Sequence, residues 1–429
     1  MDVLSLNPAR FAKTLRDDGV GLAWVAHLNG HLQVSHAALD PLKQYFGEAI
    51  SGYASHEAIF LRAHAEHDVL MAAFVHDTTR GQGAGGTRLW GYEDMRGFLR
   101  DGLRLSQGMT RKNSLAGLWW GGGKGVIGYE VGVRFDDRTV RDSIFNAYGA
   151  MMTELRGCYV TAEDVGAFTR DIGAIHQTTR FVTCIPQEIG GSGDPSPHTA
   201  RGVVAAAQAA LEHRKMGTLA GKTVAVQGIG NVGGPLVKYF FEAGVAKIIA
   251  SDVSAELVEK RRKEFPADKF EVRVTPRGDQ SVLAEQCDIF APCALGAILN
   301  PATIPLIKAK VVCGAANNQL DDSNRDGAAL QARNITYVPD FLVNRMGIVN
   351  CANEQYGYAT PDPAIERHFT KGWDYSIPRM TREVLDRTDR DGVHPAAAAV
   401  ALADELARAP HPIFPERSRQ IIASLTRSG

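Results

Sequence analysis

The sequence predicts an α/β protein of two domains, in which the second domain is a doubly wound parallel sheet. With 429 residues, the chain is longer than a single ordinary hydrophobic core allows. A dense run of turn-forming residues, GGSGDPSP at 190–197, interrupts it and indicates a crossing between domains. Beyond this run, short apolar segments alternate with helical patterns, as expected when helices cover both faces of a parallel sheet.

This run sets the expected domain boundaries. We predict an N-terminal α/β domain at 1–190, completed by C-terminal helices at 386–429, and a second domain at 191–385, with a cleft between the two. Residues 1–55 contain a predicted hairpin turn at Asn29-Gly30. We assign them no chemical role and expect them to serve as scaffold or subunit contact.

The composition indicates a small ligand. Lysine and arginine number 47 against 48 aspartate and glutamate, and the net charge of -1 is spread without blocks, which excludes the electrostatic footprint of a nucleic-acid-binding protein. No apolar run reaches the length of a membrane span, and the N-terminus has no signal-peptide pattern. We expect a cytoplasmic protein with neither nucleic acid nor membrane as partner.

No metal site is predicted. The six cysteines include no CxxC pair. The close histidine pair in a strongly apolar stretch, His64 and His67, has no further ligand group at metal spacing.

Two lysines and a run of glycines dominate the first domain. A glycine-rich turn at 80–90 contains Gly85 and Gly86, whose backbone N–H groups can face a ligand, and a helix from Glu93 to Gly108 leads to Lys112. Lys124 follows a second predicted turn made of three glycines. Beside Trp119 and Trp120 its amine is expected to be partly desolvated, which suits a base near neutral pH.

Two other interpretations apply to the second glycine run. A nucleotide phosphate loop is excluded, because Leu118 stands where that motif needs glycine and Gly125 stands where it needs serine or threonine. A flexible surface loop with an incidental lysine remains the alternative.

A strand at 159–163 ends in acids before a glycine, in YVTAEDVG. Asp164 at this strand end is a candidate proton carrier near a lysine. The alternative is that Asp164 caps the N-terminus of the next helix.

The second domain opens with a dinucleotide-binding pattern. The buried strand TVAVQ leads into a GxGxxG sequence from Gly228 to Gly233, a helix follows, and the next strand ends at Asp252. This is the strand, turn and helix context of a Rossmann-type fold, in which the pyrophosphate lies at the helix N-terminus. A carboxylate at Asp252 favours NAD over NADP, although the basic run at 261–263 leaves NADP open.

Three further strands, CDIFA, VVC and ITYV, end in small or polar residues. Ligands of such folds lie at the carboxyl ends of the strands, so these loops are candidate cofactor contacts. Asn317 and Asn318 suit a carboxamide, and the alternative is that they only form a turn.

The motifs GAGGTRLW, LRLSQGMTRKNSLAGL, GGGKGVI, YVTAEDVG, GDPSPHTARGV, KTVAVQGIGNVG, CDIFAPCALGA and GAANNQLDD resemble, in order and spacing, the Glu/Leu/Phe/Val amino-acid dehydrogenase family, and most of all its leucine and phenylalanine branch. The resemblance covers roughly residues 58–429. It implies reversible, NAD-dependent oxidative deamination of an L-amino acid to the 2-oxo acid and ammonia. It also implies a homo-oligomer.

The resemblance assigns roles to individual residues. It implies that Lys112 binds the substrate carboxylate with help from the N–H groups of Gly85 and Gly86, that Lys124 is the catalytic base, and that Asp164 shuttles the proton of the amino group. The implied side-chain pocket is lined by Ala84, Ala162, Ile348 and Cys351. The implied cofactor contacts are Thr199, Gly228, Gly230, Asn231, Val232, Gly233, Asp252, Ala291, Cys293, Ala294 and Asn317.

Some positions depart from the family pattern. The implied pocket carries no charge, which favours a branched-chain or aromatic substrate and leaves glutamate as the alternative. Trp119-Trp120 replaces a more polar pair, and Arg345-Met346 stands where relatives have Ala-Gly, which would put a cation beside the cofactor cleft. Arg345 is the basis of an alternative function, a non-catalytic relative that binds NAD and an amino acid as a sensor or assembly partner.

Overall fold

Two separate sheets organise the chain in the computed structural model, which describes residues 2–357, 359 and 361–427. The chain divides into two units. Unit 1 consists of Met1–Asp194, Glu354–Tyr356 and Glu405–Gly429, and unit 2 consists of Pro195–Asn353 and Gly357–Asp404.

Unit 1 contains a mixed sheet of seven strands in the order β2-β1-β3-β4-β6-β5-β7. Its strands are β1 (Ala23–Leu28), β2 (His31–Val34), β3 (Ala58–Ala63), β4 (Leu70–Asp77), β5 (Gly83–Tyr92), β6 (Gly121–Glu130) and β7 (Tyr159–Glu163). Strand β5 runs parallel to both of its neighbours, β6 and β7, whereas β4 is antiparallel to β6. The predicted hairpin joins β1 to β2, and both Asn29 and Gly30 have the positive φ angles that such a turn requires.

Helices cover both faces of this sheet. They are α1 (Pro8–Asp17), α2 (Asp40–Tyr45), α3 (Met95–Leu115), α4 (Arg138–Glu154) and α5 (Thr169–His176). Helices α1 and α3 contribute Phe11, Leu15 and Phe98 to the hydrophobic core on one face, and α4 contributes Phe145 and Met152 to the core on the other. The N-terminal segment is therefore an integral part of the core of unit 1.

The two predicted glycine turns of unit 1 are strands, and this prediction was wrong. Gly85 and Gly86 lie within β5, and the three glycines before Lys124 lie within β6. A Cβ atom on Gly122 would overlap the Thr110 hydroxyl of α3. The glycines therefore allow α3 to pack directly against the strand, which is a different use of glycine from a turn.

The helix before Lys112 is also longer than predicted. It continues through Gly108, where a side chain would meet open space, to Leu115. The helix stops there because Gly117 adopts a left-handed conformation, with φ of 68°. Lys112 thus lies in the last turn of α3.

Unit 2 contains a six-stranded parallel sheet in the order β10-β9-β8-β11-β12-β13. Its strands are β8 (Thr223–Gln227), β9 (Lys247–Asp252), β10 (Phe270–Val274), β11 (Ile289–Pro292), β12 (Val311–Val312) and β13 (Thr336–Tyr337). The strand order reverses between β8 and β11, and this topological switch is where doubly wound sheets bind their ligands.

The helices of this part of the chain are α6 (Ser196–His213), α7 (Gly233–Glu242), α8 (Ala255–Arg262), α9 (Ser323–Ala332), α10 (Asp340–Val343), α11 (Met346–Asn353), α12 (Pro363–Glu366), α13 (Ile377–Asp391) and α14 (Pro395–Ala407). Because α13 packs against α6, the C-terminal part of unit 1 begins at Glu405, later than the predicted 386. The last helix, α15 (Arg417–Thr426), belongs to unit 1, where Arg419 pairs with Glu57 at 2.8 Å.

Candidate active site

Lys124 and Asp164 are in direct contact in unit 1. The amine Nζ of Lys124 lies 2.8 Å from Oδ2 of Asp164, and the two side chains are only 5% and 18% exposed. Burial alone would raise the pKa of Asp164, but the positive charges of Lys124 and Arg88 lower it to about 2. The structure therefore brings together the two groups predicted to move protons. Helix α5 begins at Thr169, so Asp164 does not cap it.

The register of the sheet explains this contact. Strand β5 lies between β6 and β7. Gly86 pairs with Ala162 of β7, and the pairs Ala84–Gly122 and Thr87–Gly125 on either side imply that it lies opposite Lys124 of β6. Residues in register on parallel strands project from the same face of the sheet. Because Gly86 has no side chain, the lysine amine reaches across β5 to the carboxylate. A Cβ atom on Gly86 would lie 2.7 Å from the Cβ of Asp164.

Helix α3 covers the same face and brings Lys112 to it. The amide of Asn113 donates to the carbonyl of Gly121 at 2.6 Å, and a Cβ atom on Gly85 would lie 2.9 Å from Cγ of Met109. Lys112 follows Met109 by three residues and so projects from the same side of the helix. It is half-buried at the end of α3 that lies over the glycines.

The predicted pocket residues Ala84 and Ala162 lie on this face too. Ala84 pairs with Gly122 and Ala162 pairs with Gly86, and both alanines are buried. Ile348 and Cys351 lie on α11 in unit 2, the first half-buried and the second buried. Each unit thus carries two of the four predicted pocket residues.

The peptide between Gly85 and Gly86 has a fixed orientation. The hydroxyl of Tyr159 donates to the carbonyl of Gly85 at 2.7 Å. In a planar trans peptide the N–H of Gly86 points away from that carbonyl, and so away from Tyr159. Pairing between β5 and β6 is recorded at Ala84 and resumes at Thr87. The geometry is compatible with the prediction that this N–H group faces a ligand.

A second ion pair adjoins Asp164, and sequence reasoning missed it. Nε of Arg88 lies 3.3 Å from Oδ2 of Asp164, and its NH1 group lies 3.0 Å and 2.8 Å from the two carboxylate oxygens of Asp101 on α3. The hydroxyl of Tyr92 donates to the same Asp101 at 2.6 Å. The sequence contains one signal for this ion pair. Asp101 precedes Lys112 by about three helical turns and therefore lies on the same side of the helix.

Contrary to the prediction, Trp119 does not desolvate Lys124. Its ring stacks on the guanidinium of Arg80 at 4.4 Å and lies 5.8 Å from the ring of His411. Arg80 is buried and donates to the carbonyl of Leu406 at 2.9 Å. This tryptophan therefore belongs to the contact that holds the C-terminal segment to unit 1.

The glycines of the GxGxxG sequence in unit 2 differ in their surroundings. Gly228 has φ of 89°, which an ordinary side chain disfavours. A Cβ atom on Gly233, the first residue of α7, would lie 2.9 Å from the carbonyl carbon of Gly228. A Cβ atom on Gly230 would meet open space. Asn231 and Val232 complete the turn into α7. The open space at Gly230 fits the close approach of a pyrophosphate.

Asp252 ends β9 beside this turn. Its Oδ2 accepts a hydrogen bond from the N–H of Ile229 at 2.8 Å, and its Oδ1 accepts one from the N–H of Ser254 at 2.9 Å. Of the nearby basic residues, Arg261 pairs with Glu264 at 2.7 Å and Arg262 pairs with Glu259.

The other predicted cofactor residues lie on the elements that surround the turn. Ala291 is buried on β11, Cys293 and Ala294 follow this strand, and a Cβ atom on Gly228 would lie 2.9 Å from that of Ala294. Asn317 is exposed after β12 and accepts a hydrogen bond from Asn344 at 2.8 Å. Thr199 lies in the first turn of α6, where its hydroxyl donates to the carbonyl of Pro195 at 3.1 Å.

Arg345 was predicted to be a cation beside the cofactor cleft, and this prediction was wrong. Its side chain is completely buried in unit 2, and its guanidinium donates to the carbonyl of Tyr375. Burial lowers the pKa of Arg345 to about 9. The arginine therefore holds the segment before α13 in place.

Among the described residues, none of the helices combines the length and hydropathy needed to cross a bilayer. Within the same residues, histidine, cysteine and acidic side chains form no group of three suited to a metal ion.

Comparison with known proteins identifies the family. Residues 62–181 match the family model described as Glu/Leu/Phe/Val dehydrogenase, dimerisation domain, and residues 190–409 match the model described as Glutamate/Leucine/Phenylalanine/Valine dehydrogenase. The chain belongs to the Glu/Leu/Phe/Val dehydrogenase family. It is therefore an amino-acid dehydrogenase, as the sequence motifs predicted.

Individual relatives of this dehydrogenase cover most of its length. Leucine dehydrogenase from Bacillus cereus is 41% identical over 333 residues, which is 77% of this chain and 85% of the relative. Valine dehydrogenase from Streptomyces coelicolor is 34% identical over 356 residues, which is 83% of this chain and 93% of the relative. The crystal structure of L-tryptophan dehydrogenase from Nostoc punctiforme superposes with a TM-score of 0.67 at 32% identity, covering 85% of this chain and 97% of the other.

Proposed function

We propose that this dehydrogenase catalyses the NAD-dependent, reversible oxidative deamination of an L-amino acid with a branched-chain or aromatic side chain. The products are the 2-oxo acid and ammonia. The observation that carries the proposal is the 2.8 Å contact between Lys124 and Asp164 on the sheet face that α3 covers. A buried amine and carboxylate in contact form a pair that can exchange a proton with a substrate amino group and with water.

The residues of unit 1 divide the work between binding and proton transfer. Lys112 and the N–H group of Gly86 bind the substrate carboxylate, which fixes the Cα atom relative to Lys124. Lys124 acts as the base that takes a proton from water as the water attacks the imino carbon, and Asp164 exchanges a proton with the departing nitrogen. When bound, NAD accepts the hydride that leaves Cα.

The turn at Gly228 and the carboxylate of Asp252 support NAD as the cofactor. The open space at Gly230 leaves room for the pyrophosphate, and the N-terminus of α7 favours its charge. The Asp252 carboxylate is suited to the ribose hydroxyls and repels a 2′-phosphate. Arg261 and Arg262 are engaged by glutamates, which weakens the case for NADP.

The residues that the family resemblance implies for side-chain recognition support an apolar substrate. Ala84, Ala162, Ile348 and Cys351 offer no charge to a second carboxylate, which disfavours glutamate. The relatives named above are leucine, valine and tryptophan dehydrogenases. The non-catalytic alternative depended on Arg345, and its burial removes that support.

We also propose that the protein works as a homo-oligomer in the cytoplasm, with amino acids and 2-oxo acids as its partners. The family model that matches residues 62–181 is that of a dimerisation domain.

The test is NADH formation by the purified protein with L-leucine, L-valine, L-phenylalanine, L-tryptophan and L-glutamate. We expect turnover with one or more of the apolar substrates and at least tenfold lower kcat/KM with glutamate. Lys124→Ala should lower kcat by about 10³-fold. Lys43→Ala is the matched control, because Lys43 is an exposed lysine paired with Asp40. Absence of NADH with every amino acid contradicts the proposal.

A further inference from the structure

Four charged side chains of alternating sign form a continuous chain in unit 1. Lys124 contacts Asp164 at 2.8 Å, Asp164 contacts Arg88 at 3.3 Å, and Arg88 contacts Asp101 at 2.8 Å. The hydroxyl of Tyr92 closes the chain by donating to Asp101 at 2.6 Å. The proposed reaction uses the first two members and leaves the others without a role.

Arg88 and Asp101 connect the elements that carry the proposed site. Arg88 lies on β5, two residues beyond Gly86, and Asp101 lies on α3, the helix that carries Lys112. The guanidinium is planar, and it uses Nε for Asp164 and NH1 for both oxygens of Asp101. A planar group held at two edges fixes the direction from which it contacts the carboxylate.

We propose that Arg88 and Asp101 are positioning residues for the deamination. Arg88 orients the Asp164 carboxylate toward Lys124. Asp101 orients Arg88 and cancels the positive charge of Arg88 at the reacting pair. This inference rests on the proposed function. Both side chains are about one quarter exposed, 21% for Arg88 and 26% for Asp101, so water screens their charges only partly.

The chain of alternating charges sums to zero, which makes the inference testable. The positive charge of Arg88 is one of the causes that lower the pKa of Asp164. Removing Arg88 leaves a net negative charge, so the pair of Lys124 and Asp164 binds protons more tightly. Removing Asp101 leaves a net positive charge, so the pair binds protons less tightly. The two substitutions therefore act in opposite directions.

Other charged and titratable groups lie near Lys124 and Asp164, and none of them is changed in any of the variants. Lys112 approaches from α3. Glu163 ends β7, where burial raises its pKa and the charges of Asp171 and Asp194 raise it further. The phenol of Tyr159 faces Gly85 from the other face of the sheet. These groups provide a constant background against which a shift is measured.

The experiment compares pH profiles of kcat/KM for the intact enzyme with its best amino acid and NAD. The variants are Arg88→Gln, Asp101→Asn, the double variant and Tyr92→Phe. We expect Arg88→Gln to move the ascending limb to higher pH and Asp101→Asn to move it to lower pH, each by about 0.5–1 pH unit, and the double variant to return close to wild type. Tyr92→Phe changes no charge and should lower kcat without a comparable shift.

A matched control removes an ion pair from the same sheet without touching Asp164. Arg62 on β3 pairs with Glu154, so Arg62→Gln should leave the profile in place. Thermal unfolding identifies variants that fail to fold. If Arg88→Gln fails to fold, the pH profile of Asp101→Asn tests the inference by itself, because asparagine keeps the shape of the aspartate side chain.

Three results overturn the inference. The first is that the pH profiles of Arg88→Gln and Asp101→Asn shift in the same direction. The second is that the pH profile of Asp101→Asn does not shift. The third is that the pH profile of the double variant is shifted as far as that of either single variant. An active wild-type enzyme with unshifted variants leaves the proposed function standing. An inactive wild type overturns the proposed function and this inference together.

Discussion

Gly86 and Asp164 are so close that a Cβ atom on the glycine would lie 2.7 Å from the Cβ atom of the aspartate. The space above Gly86 is the route by which the amine of Lys124 reaches the carboxylate. We predict that Gly86→Ala separates the pair and lowers kcat about 100-fold, because a displacement of about 1 Å is that costly at a reacting centre. Steady-state kinetics with the best amino acid measures this.

Gly108→Ala is the control for the loss of a glycine in this unit. It lies in α3, where a Cβ atom would meet open space, so alanine should keep activity and raise the free energy of unfolding by about 0.5–1 kcal/mol. Equal activity of the two variants would contradict the interpretation of Gly86.

The stability of the enzyme in acid should depend on Asp164. Its pKa in the folded protein is about 2, below the value of about 4 in an unfolded chain. The carboxylate therefore contributes stability above about pH 4, and that contribution is lost as the pH falls toward 2. We predict that Asp164→Asn lowers the free energy of unfolding by about 2 kcal/mol or more at neutral pH and that the difference from wild type shrinks below pH 4.

Urea unfolding at several pH values measures this difference, with Asp136→Asn as the control because Asp136 is exposed. A difference between wild type and Asp164→Asn that is constant down to pH 2 would contradict the prediction.

The second and third glycines of the GxGxxG sequence separate cofactor binding from stability. Gly230→Ala places a methyl group in open space, so we expect little change in the melting temperature and at least tenfold weaker NADH binding, because the methyl group occupies the space of the pyrophosphate. In Gly233→Ala the added methyl group would overlap the backbone of Gly228, so we expect the free energy of unfolding to fall by about 1–3 kcal/mol. Fluorescence titration with NADH and thermal unfolding test both. The opposite pattern would place the pyrophosphate elsewhere.

Cofactor preference should depend on Asp252. Its carboxylate is held by the N–H groups of Ile229 and Ser254. Asp252→Ser removes the negative charge, and we predict that the ratio of kcat/KM for NADP to that for NAD rises at least tenfold, because repulsion of the 2′-phosphate is lost. Asp268→Asn, an exposed acid in the same unit, should not change the ratio. An unchanged ratio in Asp252→Ser would show that this carboxylate does not select the cofactor.

Local signals were sufficient for much of the fold and for the proximity of Lys124 and Asp164. The GxGxxG sequence, its flanking strands and Asp252 are encoded within a few tens of residues, and the structure has them in that arrangement. The contact between Lys124 and Asp164 was expected from the order of the motifs. In both cases, residue type and chain order carry the information.

Features that depend on tertiary packing were missed. Glycine favours turns, but here the glycines pair with the strands on both sides, and the approach of α3, with Thr110 against Gly122, accounts for the lack of side chains. Arg345 looks like an exposed cation in the sequence, yet packing around Tyr375 buries it. The ion pair of Arg88 and Asp101 joins a strand to a helix, and apart from the position of Asp101 on the Lys112 side of that helix, nothing local distinguishes it from two solvated charges.

The final helix has a consequence for how the protein is made. The chain leaves unit 1 after Asp194, adds the short segment Glu354–Tyr356 to it, and rejoins it at Glu405. In this last segment Arg419 pairs with Glu57, and Ile422 enters the hydrophobic core. A ribosome therefore synthesises all of unit 2 before it supplies the last piece of unit 1. Nascent unit 1 therefore stays incomplete until the residues that follow Asp404 have been synthesised.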